Sequence, residues 1–180
     1  NDASRENHVP GGRVIAAYKG GSADLESSAS RVDGYTEQLV KEYGVQIVSS
    51  IEELCTLVDA VLLTSVDGRP HLAQATPVIK AGKRLFIDKP LAGSLADARA
   101  IAALAKEHNV PWFSSSSYRF YKSLQELKQQ DVGEVRGAIS YGPASLDPTH
   151  PDLFWYGIHA TEALFTIMGT GCQRVTCFVS

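Results

Sequence analysis

The hydrophobic positions along the chain alternate between two periods, and that alternation predicts the fold. Arg13 to Tyr18 is a short apolar run bounded by glycines, which reads as a strand. Thr36 to Tyr43 follows with Leu39, Val40 and Tyr43 at helical spacing, and Gly44 stops it. Val45 to Val48 is a second brief extended piece. Ser50-Ile51-Glu52-Glu53 has the form of a capping box, with a carboxylate three residues on able to reach back to the cap amide, so a short helix to about Val58 is expected. Asp59 to Thr64 shows no polar alternation, as in a parallel strand covered on both faces. A polar loop, a helix from Pro70 to Ala81 closed by Gly82, and a second strand of the same type, Arg84 to Asp88, come next. Ser94 caps a helix in which Leu95, Ala98, Ala102 and Ala105 form one stripe, and Val110 to Phe113 is another strand.

This β-α-β-α order implies α/β architecture: a doubly wound parallel sheet, with ligands at the carboxyl ends of its strands. The pattern changes after Ser114-Ser115-Ser116-Ser117, so residues 1–117 and 118–180 are taken as two domains. The second begins with a helix near Lys122 to Gln130, a turn at Asp131 to Glu134 and a strand from Val135 to Tyr141. A proline-containing loop from Pro143 to Pro151 leads to an apolar helix from about Phe154 to Met168 and a last strand from Arg174.

At 180 residues and 44% hydrophobic content the chain can bury one core and part of another. A net charge of −3 and the lack of a Lys/Arg cluster argue against a nucleic-acid partner. Cys55, Cys172 and Cys177 are odd in number and scattered, which suits free thiols and neither a disulfide framework nor a zinc site. No apolar run approaches the ~20 residues of a membrane-crossing helix, and the polar start from Asn1 to Glu6 has no signal-peptide core, so a cytoplasmic setting is expected. The chain stops inside a strand-like run, and the expectation is a piece of a longer protein.

Catalytic groups in such a sheet belong at strand ends, which directs attention to Asp88-Lys89 followed by Pro90. Proline ends the strand and leaves the lysine at the ligand crevice, where partial burial would lower its pKa toward acid/base use. A surface lysine at a strand end is the plain alternative. The stretch Ala81-Gly82-Lys83-Arg84-Leu85-Phe86-Ile87-Asp88-Lys89-Pro90-Leu91-Ala92 closely resembles the AGKHVLCEKPLA signature of the Gfo/Idh/MocA oxidoreductases, with aspartate in place of the usual glutamate. Tyr43-Gly44, Asp59-Ala60-Val61 and His71 occupy the places of that family's YG step, DAV strand and loop-ending histidine.

The resemblance implies a Rossmann-like domain, incomplete here, followed by the start of an α/β substrate and oligomerisation domain. It implies hydride transfer between NAD or NADP and a carbinol or keto carbon of a sugar, cyclitol or related small molecule, in a homo-oligomer when full length. Lys89 becomes the catalytic, cofactor-contacting lysine, with Asp88 beside it. Tyr156-Gly157-Ile158-His159 looks like the family's D-x-G-x-H segment, so His159 would exchange a proton with the substrate hydroxyl. Two places before that glycine, where many members carry aspartate, this chain has Trp155. Asp152 or Glu162 are the candidate substitutes, Glu162 by orienting His159 from one helical turn away.

No G-x-G-x-x-G occurs to bring helix N-terminal amides to a pyrophosphate. Lys19 stands where many relatives have the ribose-binding acid. It either favours a 2′-phosphate, and so NADP, or is an ordinary loop lysine. Ser65 and His71 match the cofactor-side loop, His71 being equally readable as a structural helix-start residue. Arg119 falls in the segment leading out of the last Rossmann strand, as a cofactor or substrate contact or as packing between domains. The rival from another class is a non-catalytic binding or assembly protein of the same family.

Overall fold

The computed structural model describes residues 10–178; the polar start from Asn1 to Glu6 and the last two residues of the expected final strand lie outside them. The chain forms two compact units, one ending at Ser114 and the other beginning at Ser115.

The first unit carries β1 (Ala16–Tyr18), α1 (Glu26–Ala29), α2 (Val32–Tyr43), β2 (Gln46–Val48), α3 (Ile51–Leu57), β3 (Ala60–Leu63), α4 (His71–Lys80), β4 (Arg84–Asp88) and α5 (Leu95–Glu107), and most of β5 (Trp112–Ser115). Its strands fall into two sets, β1-β2 and β3-β4-β5, with β1 parallel to β2 and β3 parallel to β4. Ala16 to Tyr18 pair with Gln46 to Val48, and Ala60 to Leu63 with Arg84 to Ile87. Among the described residues β1 is bonded to β2 alone and β3 is bonded to β4 alone, so each has one unpaired edge.

Local chemistry explains the helix ends. The Ser50 and Ser94 hydroxyls accept the amides of Glu53 and Asp97, both at 3.0 Å, each satisfying an amide with no partner inside its helix. The reciprocal half of the expected capping box is displaced by one residue: the Glu53 carboxylate accepts from the amide and hydroxyl of Ser49 instead of the Ser50 amide. Gly44, at φ 63°, closes α2 in the left-handed conformation that its missing Cβ permits.

The core runs through Val48, Leu54, Val61, Ala75, Ile79, Leu85, Ile87, Ile101 and Ala105. Two expectations from periodicity are corrected here. On α5 the buried stripe is Ala98, Ile101, Leu104 and Ala105, while Leu95 is exposed, because the helix turns its first residue away from the sheet. On β3 only one face is covered: Val61 is 7% exposed but Leu62 is 62% exposed. Helices α4 and α5 lie over the Val61, Leu85 and Ile87 side. Leu62, Phe86 and Phe113 share the other face, with the two phenylalanine rings 4.9 Å apart and Phe113 largely open.

The second unit contains a 3₁₀ turn (Ser117–Phe120), α6 (Lys122–Gln129), a second 3₁₀ turn (Asp152–Phe154) and α7 (Ile158–Met168). The expected apolar helix from Phe154 therefore starts later, after a break at Trp155 to Gly157. The strands expected over Val135 to Tyr141 and from Arg174 do not form among the described residues. No partner ladder reaches them, and Ile139, Tyr141 and Val175 are almost fully exposed. A strand without a neighbour has no acceptors for its amides, and the apolar pattern alone does not supply them. No helix among the described residues is long and apolar enough to cross a membrane.

Candidate functional site

In the first unit the loops after β1, β3 and β4 meet at the carboxyl ends of their strands. The centre of this junction is a carboxylate absent from the sequence reading. Asp67 is 2% exposed and accepts from the Arg69 amide at 2.8 Å, from Nε at 3.0 Å and from Nη2 at 2.7 Å. The far side of the same guanidinium grips Asp24, in the loop after β1, through two bonds of 2.8 Å. Burial pushes the Asp67 carboxyl up, but the bonds from Arg69 and Ser22 and the charge of Arg69 outweigh it and bring it to about 2. Arg69 thus joins two loops that lie 45 residues apart in sequence.

Glycine permits the next contact. A Cβ on Gly68 would stand 2.7 Å from Pro90 Cγ and 2.8 Å from the Ala92 carbonyl carbon, and one on Gly93 would meet Arg69 Cγ at 2.9 Å. The loop after β3 therefore lies directly on the turn that follows Lys89. His71 ties the same two segments: it is fully buried, with Nε2 2.9 Å from the Ser65 carbonyl and Nδ1 3.2 Å from the Leu91 carbonyl. A neutral imidazole donates to one of the two at a time. Both ring nitrogens face backbone, so His71 is placed to hold the loops, and the structural side of its sequence reading has a visible basis.

Lys89 stands at the end of β4, joined to Pro90 by a cis peptide. It is half-buried. Burial pushes its amine below the ordinary lysine value, against the opposing charge of Asp88. The Ser65 hydroxyl donates to Gln74 Oε1 at 3.0 Å, and Gly20 sits against both side chains. Lys19 pairs with Asp33 at 2.5 Å, both exposed, so its charge is already answered within the chain.

The second unit gathers a different set. Ser116, fully buried, places Oγ 2.7 Å from Nδ1 of His159, which is itself 8% exposed and flanked by the rings of Tyr118 and Tyr156. Glu162, expected to orient His159, instead accepts from Nε of Arg119, and the Arg119 carbonyl in turn accepts from Gln125. Trp155 is buried with its ring 4.8 Å from that of His150. Asp152 is exposed, with φ at 43°. Of the residues the sequence reading omitted, Asp67 and Arg69 lie in an Asp-Gly-Arg-Pro turn, a recognisable turn signal. Ser116 carried none beyond its serine-rich neighbourhood. No group of three His, Cys, Asp or Glu side chains suited to a metal occurs among the described residues.

Comparison with known proteins identifies the family and the fold. The family described as "Oxidoreductase family, NAD-binding Rossmann fold", the Gfo/Idh/MocA group, matches residues 13–117, more than half of the chain. An uncharacterised oxidoreductase of Streptococcus pneumoniae is 31% identical over 110 residues, which make up 58% of this chain and 29% of that protein. A solved structure from Magnetospirillum magnetotacticum, described as a candidate oxidoreductase, is similar at a TM-score of 0.64 and 25% identity, over 88% of this chain and 58% of that one. The WlbA dehydrogenase of Bordetella pertussis, solved with NADH and UDP-GlcNAcA, shares the fold at a TM-score of 0.52 and 18% identity, over 72% of this chain and 34% of its own. The chain thus spans well under two thirds of the length of these relatives.

Proposed function

Because the chain belongs to the Gfo/Idh/MocA oxidoreductase family, we propose that its full-length protein transfers a hydride between NAD(P) and a carbinol or keto carbon of a sugar, cyclitol or related molecule. The observation that carries the reading is Lys89: a half-buried amine at a parallel strand end, its pKa lowered by burial, with the turn behind it packed on Gly68. An amine so placed exchanges protons nearer neutral pH than a surface lysine does.

The residues present suit one side of a dinucleotide. The loops after β1, β3 and β4 converge at the carboxyl ends of the strands, where a parallel sheet takes its ligand. Lys19 and Ser65 would line the cofactor side, and Asp88 and Lys89 would face the nicotinamide end, whose ring supplies the hydride carrier when bound. His71 would act on the cofactor only through the loops it ties. Arg119, with Nε engaged by Glu162, is proposed as a cofactor or substrate contact, and His159 as the second polar group at the substrate hydroxyl. The Lys19–Asp33 pair removes the reason to favour NADP over NAD, since a 2′-phosphate would have to compete with Asp33.

One observation favours the second reading, a non-catalytic binding or assembly member of the family. Trp155, at the place of the family's carboxylate, is buried against His150, and Glu162, the candidate one helical turn beyond His159, is bound to Arg119. Titration of the full-length protein with NADH and NADPH, followed by fluorescence, and assay against sugars and cyclitols separate the two. Nucleotide binding with turnover supports the enzyme. Binding without turnover on any of these substrates selects the second reading, and no binding of either nucleotide refutes both forms of the cofactor proposal.

A further inference from the structure

The segment from Lys89 to Gly93 connects the end of β4 to Ser94, the cap of α5. Among the described residues no backbone–backbone hydrogen bond is made by Leu91, Ala92 or Gly93, so this turn takes its position from what it is packed on. It is packed on the loop from Asp67 to His71. Gly68 lies too close to Pro90 and Ala92 to carry a Cβ, and His71 Nδ1 faces the Leu91 carbonyl at 3.2 Å. The stem of Arg69 supports Gly93, where a Cβ would stand 2.9 Å from Arg69 Cγ and 3.0 Å from its Cα. Backbone contacts this close leave the turn no room to move unless the loop moves with it. The place of Lys89 therefore depends on what fixes the loop, and Arg69 supplies that. Its Nε and Nη2 bond Asp67 in the loop itself, while Nη1 and Nη2 bond Asp24 in the segment after β1. A planar guanidinium grips two carboxylates at once in a fixed fork, which the point charge of a lysine ammonium does not.

We propose that Arg69 is a positioning residue for Lys89: it carries the placement of the loop after β1 through its own stem to the turn that starts at the lysine. The proposal deepens the oxidoreductase reading and rests on it for the catalytic consequence, whereas the holding of Lys89 is a property of this chain alone. The guanidinium is engaged by two carboxylates, so its effect on the reaction runs through Lys89. An amine that exchanges a proton has to stand within hydrogen-bond reach of the reacting oxygen, and a misplacement of ~1 Å costs roughly 10²-fold in rate. Loss of the clamp then appears in kcat, with the KM for a sugar-like substrate little changed.

Arg69→Lys in the full-length protein keeps a cation beside Asp67 and a stem beneath Gly93 but gives up the fork to Asp24. Its crystal structure is expected to show Lys89 displaced from the wild-type position while β3 and β4 superimpose, and its kcat to fall by roughly 10²-fold. Asp24→Asn, at an exposed side chain, should act in the same direction to a smaller degree, and it takes the place of Arg69→Lys should that variant fail to fold. Combined with Lys89→Ala, Arg69→Lys should lower the residual kcat no further, because its effect runs through the amine that is gone. An unmoved Lys89 in the variant's crystal structure overturns the proposal. So does an equal fall in kcat with and without Lys89, the mark of a general structural role. The crystallographic comparison needs neither cofactor nor substrate. A displaced Lys89 in a protein that ignores NAD(P)H would sink the oxidoreductase reading alone, while an unmoved Lys89 in an active enzyme would sink this proposal alone.

Discussion

The junction around Asp67 and the setting of His159 solve the same problem, holding a polar group fixed at low exposure, by opposite means. In the first unit a hydrophobic sheet with helices on one face supplies the rigidity, and charge joins the loops above it: Arg69 spans Asp24 and Asp67. In the second unit the interior is itself polar and aromatic. His150, His159, Glu162, Thr166 and Trp155 are all buried, Glu162 is paired with Arg119, and hydroxyl and ring contacts meet the two histidines. A charged clamp tolerates no loss of a partner, whereas a neutral contact fixes direction more than it fixes stability. The first unit should therefore answer to changes in charge, and the second to changes in donor pattern and shape.

Removing the amine itself gives the largest effect. Lys89→Ala in the full-length enzyme is expected to lower turnover by roughly 10³-fold with little change in folding, since the side chain gives up an unfavourable burial of charge. Near-normal turnover in a steady-state assay would remove Lys89 from the mechanism.

Arg69→Met tests the clamp. The variant leaves Asp67 charged, 2% exposed and without its guanidinium, and should cost about 3–5 kcal/mol in urea unfolding. A loss below ~1 kcal/mol would mean that the junction is held by Gly68, Gly93 and His71, with the ion pair incidental.

These two regions also differ in how much of each could be read from the sequence. The place of Lys89 at the end of β4 was legible because a buried-type strand, a proline and a family signature all converge on one short run. Most elements of the first unit follow from period and capping for the same local reason. Where that reading failed, the cause was non-local. Leu62 is open because covering a sheet face depends on what lies over it, and the run Asp59 to Thr64 carries no record of that. The partners Ser116 and His159, and Arg119 and Glu162, are each 43 residues apart, and no periodicity links them. The expected pairing of Glu162 with His159 was sound helix geometry, overridden by a better-charged partner.

A pH titration of stability separates the regions further. The folded Asp67 carboxyl, at about 2, lies below its ordinary 3.8, so its contribution is complete above that ordinary value and is lost as pH falls through about 2. The window corresponds to about 2 kcal/mol. Unfolding in urea between pH 5 and pH 2 should show this decline in the wild type, and Asp67→Asn should flatten it. Lys89 has the same sign at the other end: its lowered value means that the cost of its buried charge is relieved as pH rises from that value through 10.5.

The smallest contrast lies in the helix starts. α5 begins on Ser94, whose hydroxyl accepts the Asp97 amide, and Ser94→Ala should cost about 1 kcal/mol by thermal unfolding. α7 begins on Gly157 with no side-chain cap, and by propensity alone Gly157→Ser would be a gain. The geometry predicts a loss, because a Cβ there would stand 2.6 Å from Leu153 Cβ and 2.8 Å from the Leu153 carbonyl oxygen, both in the turn that leads into the helix. Strain from such contacts costs about 1–3 kcal/mol and outweighs what a new cap returns. A higher midpoint for Gly157→Ser than for the wild type would show that this turn yields, and that shape controls the second unit less tightly than proposed above.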